Sequence, residues 1–309
     1  MYEQIASNKR RSVVYVMLFV LAWLGAGALV GWLFTRSGTS ASPLRDVGLG
    51  AAVAGAVALL GVAFTLTGGT GLVLAVAGAR PAEPRGDAEL VDLVQALAIG
   101  AGIPTPEVYV VDDPSPNAFA TGTSPRHAAI TVTSGLLAVM DREELEGVLS
   151  HEMSHIRNYD TRLLLIVTTL IGMAGLLASL LWRAAFFVRG RGRSGGQLTV
   201  LVLVAGLLLA AIGFLVGPLV RFALSRRRES LADVSGVELT RNPDGLIRAL
   251  RTLQRNDTPL AHANHVTAAL CIDDPLQHHA GLVHRLFDTH PPLADRITAL
   301  ELIATGHQV

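Results

Sequence analysis

The sequence predicts an α+β membrane protein, mostly helical with a small edge sheet, in which a polar domain is joined to transmembrane helices. Three observations carry this. The chain of 309 residues is 50% hydrophobic and only 16% charged, where soluble domains carry roughly a quarter charged residues. Its apolar residues gather into four long blocks, none of which contains a charge. The polar stretches beside those blocks show helically spaced leucines and valines, and the first also holds short β-like runs.

That composition excludes a disordered or fibrous chain and argues against an ordinary soluble protein. Twenty-five basic residues balance twenty-five acidic ones, so no nucleic-acid partner is expected. Lys9 is the only lysine among the basic residues. A single cysteine, Cys271, rules out an internal disulfide and any metal site built from cysteines.

The blocks follow in order. Val13 to Phe34, preceded by Lys9, Arg10 and Arg11, is longer than the ~7–15 apolar residues of a signal peptide and reads as a retained anchor. Val47 to Ala79 is too long for one simple span of about 20 residues. Its Thr67–Gly71 run is expected to break it into a span near 47–66 and a shorter segment at the membrane surface. Leu163 to Trp182 and Leu198 to Val220 are joined by the flexible Gly190–Gly196 connector and read as third and fourth membrane helices. The expected organisation is an anchor of two helices at 1–79, a polar stretch at 80–162, a hydrophobic hairpin at 163–220 and a second polar stretch at 221–309.

Arginines and lysines near the helix ends orient such a protein. Three precede the first span against two after it, and six flank the hairpin on one side against four on the other, Arg183, Arg189, Arg191 and Arg193. The bias favours a cytoplasmic location for both polar stretches. Two crossings of the hairpin, or none, leave 80–162 and 221–309 on the same side.

Within the first polar stretch, Leu90, Leu93, Val94 and Leu97 predict an amphipathic helix over 86–102 that ends at glycines. Glu107–Asp112 and Ala128–Thr133 read as strands, and Asn117–Gly122 as a shorter, more exposed one. Asp141 with Glu144 forms a capping box opening a helix that runs to Arg157–Asp160. In the second stretch, 225–240, 243–254 and 291–304 read as helices.

The helix at 141–160 contains His151-Glu152-Met153-Ser154-His155. Two histidines four apart lie on one helix face, about 6 Å apart in height, so both imidazoles reach a single Zn²⁺. Glu152 is turned away from ligation and faces the open coordination position, where it can take a proton from water and pass it to a leaving amine. A catalytic zinc wants a third protein ligand, and two candidates exist. Glu229 is followed one helical turn later by Asp233, a spacing that suits a ligand plus a carboxylate orienting a ligand histidine. Asp244, in Asn242-Pro243-Asp244-Gly245, is the rival and is similar to the aspartate motif of site-2-type intramembrane proteases. Those bury their metal motif in the membrane, whereas Arg142, Glu143, Glu144, Glu146, Arg157 and Asp160 surround this one. Glu229 is therefore the choice.

Taken in order, N-A-F-A-T-G at 117–122, H-E-M-S-H at 151–155, the hairpin, R-E-S-L-A-D at 228–233, N-P-D-G at 242–245 and T-H-P-P-L-A-D-R-I at 289–297 closely resemble the HtpX-type bacterial membrane zinc peptidases, relatives of the CAAX prenyl endopeptidases. The resemblance spans nearly the whole chain. It implies a gluzincin-like peptidase domain, split around the hairpin and facing the cytosol from a bacterial inner membrane, that degrades damaged membrane proteins. It implies one Zn²⁺ per chain on His151, His155 and Glu229, Glu152 as general base and Asp233 as the orienting carboxylate. Asn117, Ala118, Phe119 and Ala120 match an edge strand along which a substrate backbone aligns, Phe119 serving equally well as core. His290 matches a histidine able to donate to the tetrahedral oxyanion, and Arg296 is expected in a structural salt bridge. The implied partners are polypeptide substrates and the lipid bilayer. Two other functions stay open, a site-specific processing peptidase of membrane or lipidated substrates and a scaffold with a structural zinc.

Overall fold

A computed structural model describes residues 2–36, 42–188, 199–200, 202–208, 210–211, 226–256, 271–272 and 292–305. The expected 189–193 loop, most of the fourth block and His290 lie outside them. The chain divides into two compact units, one formed by 1–9, 68–165 and 220–309, the other by 10–67 and 166–219. The first nine residues thus belong with the polar unit, where the sequence placed them in the anchor.

Among the described residues, three helices are long and apolar enough to cross a membrane: Ile5–Thr35, Pro43–Val76 and Asp160–Arg183. They lie in α1 (Tyr2–Arg36), α2 (Pro43–Val76) and α6 (Asp160–Val188). The break expected at Thr67–Gly71 is absent, and α2 runs through it to Val76. Thr65 and Thr67 turn their hydroxyls back onto the carbonyls of Gly61 and Ala63, at 2.9 and 2.8 Å. Their polar groups are spent inside the helix, and an apolar surrounding offers no water to stabilise an opened backbone. In the second unit, α1 and α2 approach backbone to backbone at Gly27, where a Cβ would sit 2.3 Å from the Gly50 carbonyl oxygen. Small residues at such a crossing let membrane helices pack closely. Phe19, Trp23, Ala58, Ile166, Leu170 and Ala174 form the apolar core beside it.

The first unit is built round a four-stranded sheet. Its strands are β1 (Ala79–Pro81), β2 (Glu107–Val111), β3 (Ala118–Ser124) and β4 (His127–Thr133), in the order β1-β2-β4-β3. β2 and β4 run parallel, Val110 opposite Val132, and β3 runs antiparallel to β4, Phe119 opposite Thr131. β3 is an edge strand among the described residues, but it is as long as β4, and residues 118–122 are buried. The expected exposure is missing because helix α5 packs over β3 and the Ile272 N–H donates to the Ala118 carbonyl at 2.9 Å. β1, pairing Ala79 with Val111, was not expected; three residues carry too little periodicity to be read.

The helices expected over 86–102, 141–160, 225–240, 243–254 and 291–304 are all found, and one more is added. α3 (Ala88–Ala101) buries Leu90, Leu93, Val94 and Leu97 and ends on a left-handed Gly102, while a short α4 (Ser134–Val139) follows β4 directly. α5 (Arg142–Arg157) opens on the expected box, with the Asp141 carboxylate accepting from the Glu144 N–H at 2.9 Å and the Glu144 carboxylate accepting from the Asp141 N–H at 3.1 Å. α7 (Arg226–Thr240), α8 (Pro243–Gln254) and α9 (Leu293–Ala304) follow in the same unit among the described residues. α5 packs against α3, α7, α8 and β3, and Val148, Leu149, Met153 and Ile156 on it are fully buried. It is the central rod of the core, so side chains on it are held in fixed places.

Candidate metal centre

α5 and α7 meet where both carry chemistry. Gly236 on α7 makes the approach possible, because a Cβ there would lie 3.0 Å from Ser150 Oγ and 3.1 Å from the His151 amide nitrogen. His151 and His155 are stacked one turn apart on α5, rings edge to face with centroids 4.7 Å apart. Glu229, one turn before Asp233 on α7, reaches between them. Nε2 of His155 lies 3.2 Å from Nε2 of His151. Glu229 carboxylate oxygens stand 3.6 and 3.5 Å from those two nitrogens. One ligand atom from each residue lies within 4.8 Å of the others, and all three residues are buried.

The opposite ring nitrogens are also committed. His151 Nδ1 is 2.8 Å from Asp233 Oδ1, and His155 Nδ1 is 3.1 Å from Asp160 Oδ2. Each carboxylate can accept from the Nδ1 beside it, which in the neutral imidazole leaves Nε2 free to turn a lone pair inward. Two such lone pairs and a carboxylate converge in a dry interior, an arrangement that positive charge stabilises. The donor set fits a zinc ion, for which imidazole nitrogen and carboxylate oxygen are ordinary ligands.

The electrostatics point the same way. Burial and then the Arg296 charge push His151 down to about 4. Burial weighs against the charged form of His155 too. The Glu229 charge, the Asp160 hydrogen bond and charge, and the Glu152 charge together outweigh it and raise His155 to about 9. The carboxylates around His155 thus favour positive charge on that side of the site.

Asp233 is itself gripped by Arg296 on α9, which donates from Nε at 3.0 Å and from Nη2 at 2.6 Å. Although burial opposes its charge, the Arg296 and His151 charges hold the Asp233 carboxyl below the usual carboxylate range. The expected salt bridge of Arg296 is therefore found, and its partner is the carboxylate that orients a candidate ligand.

Glu152 is buried and close enough to His155 and Arg296 for its charge to act on both. Asp244 sits exposed in the first turn of α8, capped by Asn242, and is not part of the ligand cluster. Asn117 is buried; its N–H donates to Thr133 Oγ1 at 2.8 Å and its side chain accepts from the Ala118 N–H at 2.9 Å. Ala118, Phe119 and Ala120 are buried in β3. His290 lies outside the described residues.

Sequence reasoning gave no role to Asp160 or Arg228. Asp160 follows His155 by five residues, a spacing that belongs to no helical face, because a turn with Tyr159 at φ +61° intervenes. Arg228, buried next to Glu229, donates to Asp160 Oδ1 at 3.3 Å, and only its place in the R-E-S-L-A-D run hinted at the site.

The sequence profile of Peptidase family M48 matches residues 84–304. The chain is 43% identical over 310 residues to a protein called Protease HtpX homolog from Streptococcus mutans serotype c, covering 98% of this chain and all of that one. A protein of the same description from Streptococcus pneumoniae strain R6 is 40% identical over 307 residues, 97% of this chain and 99% of the other. Among solved structures, the crystal structure of S. mikatae Ste24p is a looser likeness, with a TM-score of 0.46 and 17% identity over 97% of this chain and 66% of that one. A family profile reaching from α3 to α9, with relatives matching end to end, is decisive: the chain belongs to peptidase family M48 and is a metalloprotease with membrane helices.

Proposed function

We propose that the protein is a zinc-dependent endopeptidase of the bacterial inner membrane that acts from the cytosolic side, cutting membrane proteins in quality control. The observation that carries the chemistry is the convergence of His151 Nε2, His155 Nε2 and Glu229 on one buried point, each imidazole braced by a carboxylate. The relatives described as Protease HtpX homologs support a protease, and the helices long and apolar enough to cross a membrane support the setting. The excess of arginine and lysine on one side of the spans supports the cytosolic side.

His151, His155 and Glu229 would hold one Zn²⁺ per chain. When bound, the ion supplies Lewis acidity to a water and to the scissile carbonyl. Glu152 removes the proton from the attacking water and hands it to the departing amine. Asp233 and Asp160 keep the two imidazoles in the Nδ1–H tautomer, and Arg296 fixes Asp233. His290 is assigned the donor to the oxyanion. The β3 edge receives the substrate backbone. Ala118 already gives its carbonyl to Ile272, and groups on alternate residues face the same way, so pairing begins at Ala120.

Zinc removal and restoration test this. The purified chain in detergent should cleave an unfolded membrane protein, lose the activity to a chelator and regain it with Zn²⁺. Glu229→Ala should bind no zinc, whereas Asp244→Ala should bind and cleave as before. Full activity in the chelated protein, or zinc retained by Glu229→Ala and lost from Asp244→Ala, contradicts the assignment.

A further inference from the structure

The first turns of α1 reach the metal site from the far end of the sequence. Asn8 is fully buried, and its carboxamide nitrogen donates to the Asn158 carbonyl at 2.9 Å and to Asp160 Oδ1 at 2.7 Å. Asp160 Oδ2 is the atom that meets His155 Nδ1. Resting on the metal-site assignment above, we propose that Asn8 is a positioning residue of the metal centre, fixing the carboxylate that aims the His155 imidazole at His151 and Glu229.

The chemistry at position 8 suits this task and little else. A carboxamide offers two N–H donors about 120° apart, one for each of two acceptors. An aspartate there would set a second carboxylate against Asp160, and an apolar side chain would leave two buried oxygens short of a donor. Asparagine is a mediocre helix former, yet it occupies a buried position in the opening turns of α1. Such a local cost is explained by what the side chain holds.

The surroundings show what depends on it. Asp160 Oδ1 has Asn8 at 2.7 Å and Arg228 at the longer 3.3 Å. Without Asn8 the carboxylate keeps only the longer of those two donors on that oxygen and is freer to turn about its own bond. The turn it holds is also tight, since Tyr159 takes a left-handed φ of +61° between the end of α5 and the start of α6. Lys9 lies over the Tyr159 ring, 4.3 Å from its centroid. Asn8 and Lys9 thus fasten the start of α1 to the elbow that follows the second candidate metal-binding histidine, within one compact unit.

The test compares zinc affinity with stability in the full chain in detergent. Zinc affinity is read by competition with a chromophoric chelator, stability by thermal unfolding of the stripped protein, and geometry by the visible absorption of the Co²⁺-loaded form. Loss of a group that orients a ligand typically weakens metal binding 10–100-fold; Asn8 acts one bond further out, so Asn8→Ala should cost about 10-fold and alter the Co²⁺ bands. In an Asp160→Asn background the same change should cost no further affinity, because the two residues act through one path. Should Asn8→Ala fail to fold, Asn8→Ser, which keeps one donor, carries the same measurements. A lower melting temperature with unchanged zinc affinity and unchanged Co²⁺ bands makes Asn8 a fold-stabilising residue only and overturns the proposal. A wild-type chain that binds no zinc overturns the metal assignment instead.

Discussion

Asp233→Ala strikes two functions at once, and they can be separated. Arg296 is 3% exposed, and its two short bonds both go to Asp233. Glu229 Oε2 is 4.0 Å from Nη1, and the Glu152 charge also acts on Arg296. Removing one partner of a buried pair costs about 3–5 kcal/mol, and the surviving Glu229 and Glu152 charges place this case at ~3 kcal/mol. For a domain of this general size that is a fall of roughly 6–12 °C in melting temperature. His151 also loses the acceptor 2.8 Å from its Nδ1, which should weaken zinc binding by about 10–100-fold. Thermal unfolding of the metal-free protein in micelles reads the first effect, and chelator competition the second. The double variant Asp233→Ala/Arg296→Met removes the stranded cation, so it should recover most of the stability and none of the zinc affinity. The reasoning is refuted if Asp233→Ala melts like wild type, or if the double variant recovers zinc affinity along with stability.

Two more perturbations test the scaffold. The Asp141 carboxylate accepts from the Glu144 N–H and pairs with Arg248 at 2.7 Å, which together hold its pKa below the usual carboxylate range. Its folded pKa lies under its unfolded one, so its contribution is present above pH ~4 and is lost as pH falls through the folded value. Asp141→Asn should therefore reduce the drop in melting temperature between neutral and acid solution; an unchanged drop would show that the cap carries none of the acid sensitivity. Gly27→Val should separate α1 from α2, since its Cβ meets the Gly50 carbonyl at 2.3 Å and Ala54 Cβ at 2.5 Å, at a cost of about 3 kcal/mol. Gly25→Ala, with nothing within 4 Å, is the matched control and should be tolerated; equal loss of folded protein from both variants would contradict the backbone contact.

The parts legible in the sequence were those with local signatures. Asp141 and Glu144 announced the start of α5, and the four-residue step from His151 to His155 announced a shared face. Pro243-Asp244 gave the start of α8, and Glu229 with Asp233 gave two carboxylates one turn apart that the structure brings to the two imidazoles. What stayed hidden depends on contacts without a sequence period. Asn8 meets Asp160 across 152 positions, and Arg296 meets Asp233 across 63. The continuity of α2 through Thr67–Gly71 was misread because glycine signals a break in water, while in an apolar setting the helix keeps its hydrogen bonds. β3 looked exposed because alanine, threonine and glycine carry little hydropathy, yet α5 covers it.

Glu152→Gln tests the catalytic claim most directly, because it changes one oxygen to nitrogen in a buried side chain that lies outside the ligand set. Zinc content by metal analysis and cleavage of a membrane-protein substrate are measured on the same purified sample. The mechanism predicts one zinc per chain, bound as tightly as in wild type, with cleavage abolished. A zinc-loaded Glu152→Gln chain that cleaves at the wild-type rate would contradict it.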